Sequence, residues 1–166
     1  MKVLIVFVAA FLVSTQLFSQ VFLPKSPVPL LASCGDSQAS MAVKLDKSQH
    51  MLKQPEPGKA RVYFFQDSFS GRIGLDGAWA GAVRGHSYFT VSVEPGEHHL
   101  CVSVDEGTER PFELTHFTAE AGRVYYFRGR VVPTEVGAYL FVDQPDSDES
   151  QYLLSAYSLA VWQASK

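Results

Sequence analysis

From Ala60 onward, apolar and polar side chains alternate in short runs separated by turn residues. "HSYFTVSV" (His86–Val93) is the cleanest case. Phe89, Val91 and Val93 fall on one side and Tyr88, Thr90 and Ser92 on the other, the period of two that marks a strand. "ARVYFFQ" (Ala60–Gln66) is a short β-branched and aromatic run with strand character. "RIGLDGAWAGAV" (Arg72–Val83) carries Asp76-Gly77, a strong hairpin signal because both residues tolerate positive φ. "HHLCVSV" (His98–Val104), "FELTHFT" (Phe112–Thr118), "RVYYFRGRVV" (Arg123–Val132) and "AYLFVD" (Ala138–Asp143) continue the series. The pattern predicts a mainly β protein, an antiparallel β-sandwich of about seven strands. Strands do not alternate with helices, which counts against a doubly wound fold.

One helix is expected, late in the chain. In "DSDESQYLLSAY", Asp146 suits an N-cap and Glu149 stands three residues on, as in a capping box. The spacing predicts a short C-terminal helix from Ser147 to Ala156, with Tyr152, Leu153 and Ala156 packed on the sheet. "LAVWQ" beyond it reads as a last strand.

The N-terminal pattern is different. "MKVLIVFVAAFLVSTQLFSQ" has one cation, Lys2, an apolar run from Val3 to Val13, then small or polar residues. That is the order of a secretory signal peptide, with cleavage expected after Ser19. The apolar run is too short to span a bilayer, which takes about 20 such residues. From Val21 to Gly58 the chain is rich in Pro, Ser, Gln and Lys and reads as a lead-in. The expected organisation is therefore a signal peptide at 1–19, a lead-in or linker at 20–58 and a β-sandwich domain at 59–160.

Composition adds bounds. With 166 residues, 46% hydrophobic and 19% charged, the chain is long enough for one buried core and is not of disordered type. The formal net charge is −3 and no basic stripe is present, so nucleic acid is not an expected partner.

The two cysteines are Cys34 and Cys101. In an oxidising compartment they are expected to form one disulfide. Closing a loop of that length contributes on the order of 4 kcal/mol in the chain-entropy model. A second use of Cys34 competes: "LASC" (Leu31–Cys34) matches a bacterial lipobox, where the thiol takes a diacylglycerol. Pro24, Pro27 and Pro29 separate it from the apolar run, whereas a lipobox closes that run directly.

"VEPGEHHLCV" (Val93–Val102) concentrates the candidate chemistry. Adjacent strand residues point to opposite faces, so His98 and His99 cannot both ligate one ion from a regular strand. His98 falls with Leu100 and Val102, and His99 with Cys101. A tight turn here would pair Glu94 with Glu97 and set Thr90 against Cys101, although a type II Pro-Gly turn twists poorly for a hairpin. A metal centre would draw on His86, His98, His99 and His116, but no metal-ligand spacing is present. Glu94 and Glu97 read as turn charges, and Asp146, Asp148 and Glu149 as capping charges. The glycines of "GLDGAWAG" (Gly74–Gly81) lead into no helix, so they do not form a phosphate loop. Arg123, Arg128 and Arg130 interleave with Tyr125, Tyr126 and Phe127. Trp79, Tyr125 and Arg128 are the residues expected to present a ligand face, against the alternative that they serve packing.

"PEPGKARVYFFQD", "RIGLDGAWAGAVRGHSYFTVSVEPGEHHLCVSV" and "HFTAEAGRVYYFRGRVV" together carry a resemblance, from about Pro55 to Leu154. The chain resembles DUF2846, a bacterial family of exported domains of unknown function, and more broadly the PEGA-type β-sandwich modules. The resemblance implies a small exported β-sandwich and carries over no catalytic residue. The function expected is a non-enzymatic module, periplasmic, outer-membrane-associated or extracellular, with no cofactor. Its expected partner is an envelope protein or a glycan such as peptidoglycan, and it would meet a membrane only through its leader or a lipid on Cys34. A small metal-binding protein or hydrolase built on the four histidines is the alternative.

Overall fold

A computed structural model describes residues 34–35, 40–48, 52–104, 112–135 and 137–165. The signal peptide expected at 1–19 and the Leu31–Ser33 part of the lipobox lie outside the described residues. The architecture is a two-sheet β-sandwich, as the alternation predicts, with one helix and ten strands rather than seven among the described residues. In chain order these are β1 (Ser40–Asp46), β2 (Ala60–Gln66), β3 (Gly71–Leu75), β4 (Ala78–Val83), β5 (Ser87–Val93), β6 (Gly96–Val104), β7 (Phe112–Ala119), β8 (Val124–Thr134), β9 (Gly137–Asp143), then α1 (Ser147–Ala156) and β10 (Ser158–Ser165). The larger sheet runs β1-β10-β5-β2-β8-β9 and the smaller β4-β3-β6-β7.

Two of the extra features come from the ends. The expected lead-in contains β1, which pairs antiparallel with β10 along its whole length. The sheet is also not purely antiparallel: β2 runs parallel to β8, and β10 runs parallel to β5 over a short contact. The reason is the path of the chain. It leaves the large sheet after β2 and again after β5 to build the small one, and each return sets the strand direction.

The Pro95–Gly96 turn is the main correction to the expected pairing. β5 pairs with β2 and β10, while β6 pairs with β3 and β7. So Glu94 does not face Glu97 across a hairpin, and Thr90 does not oppose Cys101. The turn is a corner where the chain crosses between sheets. Gly96, at φ 139°, takes a backbone conformation that only glycine adopts without strain. The Asp76–Gly77 turn is by contrast a true hairpin turn between β3 and β4, with φ of 52° and 81° at its two residues.

β2 is buried on both faces over all seven residues, which explains why "VYFF" shows no alternation of polarity. Val62 and Phe64 face the core between the sheets, with Ile73, Phe89, Leu100, Val102, Phe117 and Phe127. Tyr63 and Phe65 face the other way, into a second cluster with Tyr88, Leu153 and Leu154. The helix covers that outer cluster. Asp146 caps it as expected, its Oδ1 accepting from Asp148 N–H (3.0 Å) and Glu149 N–H (2.9 Å). Its buried face is Ser150, Leu153 and Leu154; Tyr152 and Ala156, expected against the sheet, face solvent. No described helix is long and apolar enough to cross a membrane.

Candidate functional site

The outward face of the small sheet gathers the residues that carry chemistry. In β6, the alternation turns His98, Leu100 and Val102 inward and His99, Cys101 and Ser103 outward. Cys101 sits directly across from Gly74 on β3 and Leu114 on β7. Its sulfur is joined to that of Cys34, with the two Cα atoms 5.3 Å apart, within the span of a disulfide. The Cys34–Gly35 segment lies flat on the sheet. A Cβ at Gly74 would collide with the Cys34 carbonyl, so glycine is required there by close approach. Both cysteines are almost fully buried. One sulfur cannot hold a disulfide and a diacylglycerol thioether together, so the two uses of Cys34 exclude each other.

Next to the disulfide, Asp76, Gly77, His99, Cys101, Leu114, Thr115 and His116 line an open groove of about 490 Å³. Leu114 is 41% exposed on its floor. His99 and His116 are direct cross-strand partners on its rim, their rings 6.4 Å apart.

The four histidines do not form one centre. His86 follows β4 at the Val83 end, the opposite end of the small sheet from Asp76–Gly77, and its ring meets the edge of Tyr157 at 5.5 Å. His98 points inward, its ring tilted against that of Phe117 at 5.5 Å. Its Nδ1 meets Asp76 Oδ2 at 2.7 Å and its Nε2 meets the Glu94 carbonyl at 2.8 Å. Both neighbours are acceptors, so both bonds form together only when the ring is an imidazolium. Burial alone would lower the pKa of His98, but the Glu94 carbonyl and the Asp76 carboxylate favour the charged ring, and the net direction is upward. Burial likewise pushes Asp76 up, while the His99 N–H and the His98 ring pull it down, and the pull downward is stronger. His98 thus ties the β3–β4 hairpin turn to the inter-sheet corner. Among the described residues, no group of three or more His, Cys, Asp or Glu side chains is gathered as a metal centre.

The expected ligand face is dispersed. Trp79 lies on the outer face of the small sheet, covering Gly35, with the Arg72 guanidinium 4.4 Å from its ring centre. Tyr125 turns toward the inter-sheet core, 5.4 Å from Phe117, and its hydroxyl accepts from Glu120 N–H. Arg128 lies on the opposite face of the large sheet, bonded to both oxygens of Asp143 and to Glu149 of the helix. The Asp143 and Glu149 carboxylates hold its pKa far up, against the opposing effect of burial. Tyr125 and Arg128 are an odd number of residues apart on one strand, which puts them on opposite faces.

Residues 56–139 match a family described as protein of unknown function (DUF2846). The chain belongs to that family. The match ends at Tyr139, short of the Leu154 expected from the resemblance, so the DUF2846 segment holds β2 to β8 while β1, the helix and β10 lie beyond it. Cys101 is inside the segment and Cys34 is outside it. No curated protein and no solved structure matches the chain.

Sequence reasoning did not reach Asp76 and Leu114 as site residues. Asp76 was legible only as a turn residue, because its contact with His98 spans 22 positions. It also missed Tyr139 and Phe141, which stand 51% and 49% exposed on the edge strand β9. Their i, i+2 spacing in "AYLF" is the signal that would have flagged a shared outward face.

Proposed function

We propose that this chain is an exported, non-enzymatic β-sandwich module that works in the cell envelope by binding an envelope protein or a glycan such as peptidoglycan. The observation that supports it most is the Cys34–Cys101 disulfide beneath an open groove. Disulfides of this structural kind persist in oxidising compartments, outside the cytosol. The leader-like order of residues 1–19 points the same way. The groove has an apolar floor and polar rim, the chemistry of a docking surface rather than of a closed reaction chamber. Cys101, the thiol nearest a histidine on its own face, has its sulfur committed to the bridge, which leaves no thiolate there for nucleophilic catalysis.

The test is expression of the chain with residues 1–19 in place in a bacterial host, followed by fractionation. The exported fraction should contain a chain beginning near Gln20 whose mass is lower by two hydrogens than the dithiol. Retention in the cytosol with both thiols open to alkylation would overturn export, and a lipid mass on Cys34 would replace the disulfide by the lipobox reading. Cosedimentation with purified sacculi and with envelope membranes tests binding. Leu114→Asp should weaken it several-fold without loss of folding. No association with either fraction would overturn the binding role.

A further inference from the structure

The sheet register sorts the four described histidines into two that stand apart, His98 turned inward and His86 at the surface beside Tyr157, and two that stand together on the outward face of the small sheet. His98 has both ring nitrogens bonded, and His86 packs at the far end of the small sheet. His99 and His116 face each other across β6 and β7, on the outward side. We propose that His99 and His116 form a two-imidazole site for a divalent transition ion, copper(II) foremost and zinc(II) with it, with its remaining positions open to water.

The geometry meets what such a site needs. Directly opposed residues on antiparallel strands have Cβ atoms about 4.5–5.5 Å apart. A shared ion needs each imidazole nitrogen at about 2.0–2.1 Å. Rings 6.4 Å apart with an interplanar angle of 39° reach that arrangement by side-chain rotation, with no movement of the strands. Freedom to rotate is present: the His99 side chain is 70% exposed, and His116 is exposed as well.

The surroundings favour a cation. Glu97 lies two residues before His99 on the same face, its Oε1 4.0 Å from His99 Nε2, and puts negative charge beside the pair. Asp76 lines the same groove from the other side. Imidazole suits copper and zinc, and copper(II) binds the tighter of the two at a given nitrogen and oxygen site. A site held by two protein ligands at the protein surface is labile and exchangeable, unlike a closed structural zinc site. The inference does not rest on export or on an envelope partner.

The experiment is titration of the mature, tag-free, chelator-treated protein with copper(II) and with zinc(II) by calorimetry. Electron paramagnetic resonance of the copper form adds a count of nitrogen ligands. One equivalent should bind, with copper tighter than zinc and with coupling from two imidazole nitrogens. Losing a direct ligand should weaken affinity at least as much as losing an outer-shell partner does, ~10–100-fold. H99Q and H116Q should each show that loss, E97Q a smaller one, and H86Q none. The double variant H99Q/H116Q should retain its thermal midpoint, since both side chains face solvent, so a loss of binding is not a loss of fold. Persistent stoichiometric binding in the double variant, or wild-type binding no tighter than that of free imidazole, would overturn the proposal.

Discussion

β2 has two faces that solve the same problem with different chemistry. On the inner side, Val62 and Phe64 meet a second sheet and pack among aliphatic and phenylalanine side chains, with Gln66 buried further along the same face. On the outer side, Tyr63 and Phe65 meet no sheet. They are flanked in their own sheet by Tyr88 and Tyr126 and covered by Tyr157 and by one face of a ten-residue helix. The tyrosines there run their hydroxyls to polar partners at the edge. The Lys53 N–H donates to the Tyr63 hydroxyl at 2.6 Å, and the Tyr157 hydroxyl donates to Asp67 Oδ1 at 2.8 Å. Burial pushes the Tyr157 phenol pKa up strongly, with the Asp67 carboxylate adding to it. Tyr88 is pushed up to about 12, chiefly by burial, with Tyr63 and Asp46 adding to it. A sheet-on-sheet core needs only shape and apolar area, whereas a thin cover of rings and one helix needs side chains with a polar end.

Four experiments bear on that contrast, and the first has the largest expected effect. Phe64→Ala empties the centre of the inner core and should cost about 3–5 kcal/mol in denaturant unfolding. Leu153→Ala, in the outer roof, should fall near the lower end of about 2–5 kcal/mol, because a surface helix can settle inward. Equal losses would mean that both faces are packed to the same rigidity.

Replacing both cysteines by serine should lower stability by about 2–4 kcal/mol while leaving the near-ultraviolet signal of both aromatic clusters in place, since the bridge restricts mainly the unfolded chain. Collapse of either aromatic signal would show that the bridge holds native packing instead.

Tyr157→Phe removes one outer hydroxyl. It should cost about 0.5–1.5 kcal/mol, with the remainder of the roof unchanged. No loss would mean that the polar ends of the outer cluster are incidental.

The smallest effect is on acid stability. Burial would raise the Asp143 pKa, but the Arg128 and Arg130 guanidiniums hold it below its ordinary value. A carboxylate depressed in the folded state contributes stability above its unfolded pKa of about 3.9, and that contribution is lost as pH falls through the lower folded value. The thermal midpoint of the wild type should therefore drop more than that of Asp143→Asn as pH is lowered below about 4. Solvent screening keeps the difference small. Parallel curves would mean that the Arg128–Asp143–Glu149 cluster does not help to hold the helix over the outer face.

Much of this was legible in the chain because it depends on neighbours in sequence. The β-branched and aromatic run of β2, the alternation in β5, the Asp76–Gly77 turn and the Asp146 cap are all local, and each fell where the pattern set it. The same period-two rule separated His98 from His99. The failures share a cause too. Pro95–Gly96 has the composition of a hairpin turn, but whether the next strand pairs with the last or crosses to another sheet depends on what else competes for those edges. β1 has an unremarkable sequence and becomes a strand through β10, more than a hundred residues later. Tyr152 has a hydrophobic ring, yet the helix is seated by Leu153 and Leu154, and its orientation follows the shape of the aromatic roof.

By itself, then, the sequence determined the class of fold, the hairpin at Asp76–Gly77, the helix and the strand at Ala60–Gln66, because backbone geometry and side-chain period act over a few residues. Tertiary structure alone decided that His99 stands opposite His116, that His98 joins Asp76 to the Glu94 corner, and that Arg128 meets Asp143 and Glu149. Those outcomes depend on strand register and sheet order, which arise from packing across the whole chain rather than from any one stretch of it.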